Sequence, residues 1–443
     1  MKRYDIIIIG AGAAGMMAAA GASAQGCRTV ILEKMARPGR KIMITGKGRC
    51  NYTNLKPWNE FQAHIHPKAN FLKPSYFTLN REKLMDFMST NGMESVTERG
   101  DRVFPSSHLA ADVVDTLAAA VTKAGAEIIC NKEVTEISYV MNDETPDGTD
   151  MEFSVKCTDA SIYSCRRLIV CTGGLSYPQT GSTGDGYRWA EAFGHSIRPL
   201  FPSLTAIVPS GYKTESSIPA SCHIERNTPL SESGNCLCGN HLKNVSLKIV
   251  IDGNEAAREF GDLDFTDGGI EGPIGFKVSR KCVNALINGS KVTAFIDLKP
   301  AVEQEDLEKR IRALWDELCK DKKHGSKSYK DRYKVLLNKL MPVSLVSAFC
   351  RLNPNTDHKT LSRTLKNWKF EISGYVGYER CVITAGGVSC EEINQKTLES
   401  RLNSGLYFAG EVLDLDADTG GYNLQTAFCT GYLAGISAAR SFK

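Results

Sequence analysis

Residues 10–15 read Gly10-Ala11-Gly12-Ala13-Ala14-Gly15, which is the G-x-G-x-x-G spacing. Such a turn brings bare backbone up to a pyrophosphate. Gly10 allows the tight turn, Gly12 has no Cβ to obstruct the phosphate, and Gly15 lets the following helix close on a strand. Ala14 lies in the same turn and is a candidate contact with them. Glu33 stands 18 positions beyond Gly15, close to the roughly 20 at which an acid meets a ribose hydroxyl. A carboxylate there would repel a 2′-phosphate. Lys34 follows it.

A second group of candidates is basic and glycine-rich: Arg40, Lys41, Thr45, Gly46, Arg49, Cys50 and Asn51. Peptide N–H groups and cations in this stretch suit a diphosphate and the edge of a cofactor ring. Taken alone, the stretch reads equally well as a solvated basic loop. A third group, Thr172-Gly173-Gly174, follows an apolar run, so it falls at the carboxyl edge of a sheet, where open α/β folds bind ligands.

These residues need elements to hold them. Residues 4–9 carry four consecutive isoleucines and read as a buried parallel strand. A helix of small residues follows to 24, and a second strand spans 29–32. Residues 108–124 read as a helix, with strands at 127–130 and 133–137. A polar turn is expected at 142–150, a hairpin at 152–165 and a parallel strand at 167–171. From about 200 to 370 the texture changes. Strands at 204–208, 245–251, 261–265 and 292–297 look antiparallel, and helices are expected at 303–318, 329–340 and 345–349. Glycine-rich α/β character returns at 374. The reading is an α/β chain with a Rossmann-like nucleotide domain in two parts, 1–195 and 371–443. These flank an insertion of β-rich (196–300) and helical (301–370) character.

The bulk numbers narrow the function classes. The chain has 443 residues, a 42% hydrophobic and 23% charged composition, and a net charge of +4. That balance does not suggest a dedicated nucleic-acid binder. The locally basic stretch 320–334 also contains Asp321 and Asp331 and reads as a solvated helix junction. The fifteen cysteines are scattered, with no C-x-x-C; Cys236 and Cys238 form a C-x-C without a second pair to complete a metal site. No metal is expected. Met1-Lys2-Arg3, an apolar run and Ala22-Ser23-Ala24 imitate a secretory signal, but cleavage there would remove the glycine turn. The expectation is a cytoplasmic protein with no membrane span and no nucleic-acid partner.

The stretch Gly39-Arg40-Lys41 through Thr45-Gly46-Lys47-Gly48-Arg49-Cys50-Asn51 resembles the BaiN/YhiN-like flavoproteins, the aminoacetone-oxidase-like FAD-binding family. So do Ser176-Tyr177-Pro178-Gln179-Thr180-Gly181 through Asp185, Gly405 through Gly410-Glu411, and Asp418-Thr419-Gly420-Gly421-Tyr422-Asn423-Leu424. The resemblance covers nearly the whole chain. It implies FAD, a two-part FAD domain, and an insertion made of a β-barrel and a small helical subdomain. It further implies cofactor contacts at Val134, Asp185, Gly410, Glu411, Gly421, Asn423 and Leu424. The last three lie where a helix start would face the flavin pyrimidine edge and stabilise the anionic reduced ring.

One member of the family is associated with reducing double bonds in 3-oxo bile acid intermediates. The expected function is therefore reduction of an activated C=C bond in a small molecule. NAD(P)H would be a transient electron donor, since no second G-x-G-x-x-G exists. Tyr177 is the candidate catalytic donor; Cys50 and His195 are further polar candidates near the ring. An oxidase or dehydrogenase of small amines or alcohols, or a flavoprotein with a primary binding role, remain alternatives.

Overall fold

The computed structural model describes residues 2–141, 151–212, 237–322 and 324–442. The turn expected at 142–150 and Cys236 lie outside them. The chain forms two compact units, Met1–Phe201 with Ile383–Lys443, and Pro202–Val382.

The first unit is built on the strand Lys2–Ile9, fully buried from Ile6 because its isoleucines leave no polar face. It pairs in parallel with Thr29–Leu32 on one side and Ile162–Val170 on the other. Glu127–Ile129 extends the sheet past Thr29–Leu32, and Leu406–Phe408 runs parallel to the end of Ile162–Val170. Met151–Cys157 and Val134–Met141 continue it as antiparallel strands. The parallel strands thus end along one edge, at Ile9, Leu32, Val170 and Phe408. Gly10, Glu33, Thr172 and Gly410 are carried there by the chain leaving each strand.

All eleven residues of the helix Ala13–Ser23 are buried. It packs on the helix Tyr422–Arg440 at backbone contact. A Cβ at Gly431 would stand 2.1 Å from the Ala14 carbonyl oxygen, and one at Gly435 2.1 Å from that of Ala18. The region from 53 to 105, for which the sequence suggests no elements, holds a small sheet of Thr53–Asn54, Arg102–Pro105 and Ser95–Glu98. It also holds the helices Ala69–Thr78 and Arg81–Thr90. Pro74 inside the first helix and the shortness of the strands hide both patterns.

The second unit contains a closed six-stranded barrel in the order Ile207–Pro209, Gly269–Glu271, Asn254–Thr266, His241–Ile251, Val292–Asp297 and Trp368–Tyr375. The helix Gly272–Ile287 follows the second of these strands. Among the described residues, four further helices belong to the unit: Gln304–Lys320, Tyr329–Asn338, Val343–Leu352 and Leu361–Lys366. Their Ile311, Leu336, Phe349 and Leu365 share one core with Val292 and Trp368 of the barrel. Barrel and helices are therefore one compact body rather than two.

Both expected boundaries move. Trp368–Tyr375 closes the barrel against Val292–Asp297, with Ile372 opposite Val292, so the first unit resumes at Ile383 rather than 371. The glycine that suggested a return to α/β texture, Gly374, pairs with Val208 inside the barrel. At the other boundary, Ile197–Ser203 pairs with Ile383–Val388, which carries the first unit to Phe201. Among the described residues no helix is long and apolar enough to cross a membrane.

Candidate functional site

The glycine turn has the geometry its sequence implies. Gly10 has φ +97°, and a Cβ there would lie 2.6 Å from the Cys171 carbonyl oxygen. A Cβ at Gly15 would lie 1.9 Å from the Gly10 oxygen. At Gly12 a Cβ would meet nothing within 4 Å, so the space before this residue is open. Gly12 is the N-cap of Ala13–Ser23, with no side-chain cap and no acid in the first turn. The helix therefore presents uncompensated N–H groups, including that of Ala14, with the positive end of its dipole toward that space.

Glu33 is buried and accepts the backbone N–H groups of Ala11 at 2.7 Å and Met35 at 2.8 Å. Burial pushes its carboxyl above the usual range, and those two bonds offset this only in part. The backbone N–H of Lys132 donates to the Glu33 carbonyl at 2.8 Å, which brings Val134, two residues on, toward the same end of the turn.

The cations near the turn are largely engaged. Lys34 donates to Asp185 at 2.7 Å and Thr183 at 2.5 Å. Burial raises the Asp185 carboxyl, but the bonds from Lys34, Thr183 and Arg188 outweigh it and hold it low. Lys34 and Asp185, both expected as cofactor contacts, thus face each other. Lys41 donates to Glu411 and to Ser176, each at 2.8 Å. Glu411 also accepts the Ser176 hydroxyl at 2.6 Å and the Thr384 N–H at 2.9 Å. The expected phosphate contact Glu411 is therefore the centre of a polar lock. Arg49 pairs with Glu98 and lies over the Phe104 ring at 4.5 Å. Arg40 is exposed and carries no ion pair among the described residues.

The loop between these cations is wound by its backbone. Gly46, Lys47, Gly48 and Cys50 all have positive φ, between +56° and +83°. Thr45 caps inward, donating to the Ile42 oxygen at 2.6 Å. Burial pushes the Cys50 thiol up to about 12, which keeps it protonated and unreactive. The Asn51 Oδ1 atom is buried with no hydrogen-bond donor among the described residues.

That oxygen lies beside the second helix start. Gly421 has φ +94°; a Cβ on it would stand 2.3 Å from the Thr53 oxygen and 2.9 Å from Asn51 Oδ1. It is the N-cap of Tyr422–Arg440, again with no side-chain cap. Asn423 was expected as a ligand contact, but its amide holds the loop: it accepts from Ala417 N–H at 2.8 Å and donates to the Ala417 oxygen at 2.7 Å. Leu424 is half-buried in the first turn. Gly410 comes close to the first helix, where its Cβ would lie 2.8 Å from that of Ala14.

Thr172, Gly173 and Gly174 follow the central strand. A Cβ at Gly174 would clash with the Thr384 hydroxyl, whose oxygen takes the N–H groups of Leu175 and Ser176. Tyr177 comes next, half-buried, with φ +52°. His195 lies elsewhere. It is buried between Glu392 at 3.1 Å and Ser400 at 2.8 Å, and burial holds its pKa low, so it clamps a loop.

One cluster escapes the sequence. Asp418 accepts from His64 Nδ1 at 2.8 Å and His66 Nε2 at 3.2 Å, and the His64 ring stacks on Tyr422 at 4.2 Å. Burial raises the Asp418 carboxyl, but the two imidazoles overcome it and hold it at about 2. The pair His64 and His66, two residues apart where a short helical turn runs into the strand Ile65–His66 that meets Asp416-Ala417, was the available signal.

Two helix starts, a glycine turn and a ribose-competent acid at one sheet edge are the parts of a dinucleotide site. The HI0933-like protein Rossmann domain matches residues 4–437. This chain belongs to that FAD-binding family. It is 30% identical to the ribosomal RNA dihydrouridine synthase of Haemophilus influenzae, over 99% of this chain and 100% of that protein. It is 27% identical to the 3-dehydro-bile acid delta(4,6)-reductase of Clostridium scindens, over 98% of each chain. In fold it is similar to a 3-ketosteroid delta1-dehydrogenase from Sterolibacterium denitrificans, with TM-score 0.50 and 12% identity over 100% of both chains.

The residues fit FAD. The open space before Gly12 is a cradle that a Cβ would fill, and the uncapped helix behind it suits a diphosphate. The orphaned Asn51 Oδ1 is an acceptor suited to a ring N–H. Glu33 retains lone pairs for a ribose hydroxyl.

Proposed function

We propose that the chain uses FAD to reduce a carbon–carbon double bond conjugated to a carbonyl. One observation carries this reading: two full-length relatives have names that describe a single bond chemistry on different substrates. Forming dihydrouridine saturates a ring double bond conjugated to the C4 carbonyl. A delta(4,6)-reductase acting on a 3-dehydro bile acid saturates a double bond conjugated to the 3-oxo group.

FAD, once reduced, supplies a hydride. In this reading the chain's own residues hold and bias the cofactor. Gly10, Gly12, Ala14 and Gly15 hold the diphosphate and Glu33 the ribose, with Val134 at the adenine end. Arg40 adds a cation. Thr45, Gly46, Cys50 and Asn51 line the ring edge, and the N–H groups at Gly421, Asn423 and Leu424 place positive potential beside it. Tyr177 is the proposed hydrogen-bond donor to the substrate carbonyl, and NAD(P)H the proposed electron source.

The test is anaerobic mixing of the photoreduced holoprotein with a uridine-containing RNA, a 3-oxo-4-ene steroid and a simple enone. At least one should restore the oxidised flavin spectrum, and Tyr177→Phe should slow that step about 100-fold. If none does, while an amine or alcohol bleaches the oxidised flavin and yields peroxide with oxygen, the reductase reading is rejected.

A further inference from the structure

Asp418 stands three residues before Gly421, the N-cap of Tyr422–Arg440. An ionised carboxylate there cancels part of the positive potential that the bare N–H groups of the helix start offer. Unless it is neutralised, it disfavours a reduced flavin, itself an anion, at the same place. The loop does not need this carboxylate to hold its shape. Asp416 and Ala417 pair with His66 and Ile65, and the Asp418 N–H donates to the His64 oxygen at 2.9 Å. Asn423 engages both backbone polar atoms of Ala417, and Asn54 donates to the Gly420 oxygen at 3.0 Å.

What the side chains add is charge that can change. Each oxygen of Asp418 takes one imidazole N–H, from His64 Nδ1 and from His66 Nε2. His64 Nε2 and His66 Nδ1 are left with no hydrogen bond among the described residues, and each is then a basic nitrogen. The two side chains are 23% and 33% exposed, so solvent can deliver a proton to them. The His64 ring lies on the ring of Tyr422, the first residue of the helix, so a charge on it sits at the helix start. Other charges on the elements packed here are few. Glu60 acts on His64 and is paired with Lys56 at 2.7 Å. Burial, with Asp418, Asp101 and Glu60, pushes the Tyr422 phenol up and keeps it neutral. Asp416 stands opposite His66 on the paired strand, and Lys68 pairs with Glu391. Ala69–Thr78 brings only Lys73, and Tyr422–Arg440 has no charged residue before Arg440.

We propose that the His64–Asp418–His66 triad takes up a proton when the flavin is reduced and releases it when the flavin is reoxidised. The ring gains two electrons and one proton and becomes the anion, whether they arrive as a hydride from a nicotinamide or singly from an electrode. The second proton comes from solvent and forms an N–H bond at His64 Nε2 or His66 Nδ1. The coupling is reciprocal: negative charge on the ring raises the affinity of an imidazole for a proton, and an imidazolium favours the reduced ring by the same factor. Saturating an alkene consumes a hydride and a proton, and the reduced holoprotein stores both. The proposal rests on the reading that sets the flavin edge beside Gly421, and not on which alkene is reduced.

The test is the midpoint potential of the FAD-loaded full chain, measured by spectroelectrochemistry from about pH 5 to 8, the range in which imidazoles change charge. The slope of potential against pH counts the protons taken up per two electrons. Wild type should reach about 1.5 protons or more within this range, since a tenfold change in the affinity of one imidazole binds about half a proton at its midpoint. The double variant His64→Gln, His66→Gln keeps an N–H for Asp418 at each site but cannot become charged, and should stay near one proton throughout. Each single variant should fall between the two. A wild type at one proton over the whole range overturns the proposal. So does a double variant that still takes up the second proton, which places that proton on the ring. The electrode supplies the electrons, so a flavin that no alkene reoxidises sinks the reductase reading and leaves the proton count standing.

Discussion

The two helix starts of the first unit do similar work with different materials. At Ala13–Ser23 the surroundings are backbone: glycines, a carbonyl edge and a helix end without a cap. At Tyr422–Arg440 the backbone is equally bare, but side chains crowd around it: Asn51, Asn423, His64, His66 and Asp418. The second start stands beside Asp418, whose carboxyl is held low by bonds from His64 and His66, so its loop rests on side-chain partners as well as on backbone.

The largest effect is expected where the two helices meet. Gly431→Leu would drive a side chain into the Ala14 carbonyl, 2.1 Å from the first added carbon. It should lower unfolding free energy by roughly 3 kcal/mol or more, measured by urea denaturation of the apoprotein. A variant of wild-type stability would mean that the helices separate at no penalty, and the two starts would not be a coupled pair.

Gly12→Val should separate binding from folding. The protein has no atom for the new Cβ to strike, and the backbone is already extended at φ −82°. The unfolding midpoint of the apoprotein should be unchanged, while FAD affinity falls at least 100-fold, or about 3 kcal/mol. Fluorescence titration with FAD reads this directly. Normal FAD binding would move the diphosphate away from the glycine turn.

The smallest effect belongs to the second start. Asp418 is held at about 2, below its unfolded value, so its ionised form stabilises the fold above pH ~4 and that contribution disappears as pH falls toward 2. Asp418→Asn should therefore be less stable than wild type by about 1–2 kcal/mol at pH 6, and the gap should close on acidification. A gap that stays constant down to pH 2 would mean that the two imidazoles give Asp418 no electrostatic support.

This contrast also explains what could be read beforehand. The first start constrains the backbone within six consecutive positions, and such constraints appear directly as glycines at fixed spacing. Glu33 was legible for the same reason, one strand later. Side-chain partnerships left no such trace. Lys34 meets Asp185, Lys41 meets Glu411, and His64 meets Asp418 across 151, 370 and 354 positions. Lys34, Asp185, Lys41 and Glu411 looked free for a ligand until their partners appeared. The barrel boundary failed differently: Gly374 carries the texture of a nucleotide fold but is a strand residue opposite Val208.

The contact between Gly431 and Ala14 has a consequence for the order of events during synthesis. The second unit is continuous in the chain and can fold as soon as Val382 has been made. The glycine turn is translated about 400 residues before the helix Tyr422–Arg440 that covers its own helix. Until then the buried face of Ala13–Ser23 is exposed to whatever else is sticky in the cell. Cofactor capture is thereby deferred until Tyr422–Arg440 has been made, and a chain stopped before it would carry an intact fingerprint that this helix does not cover.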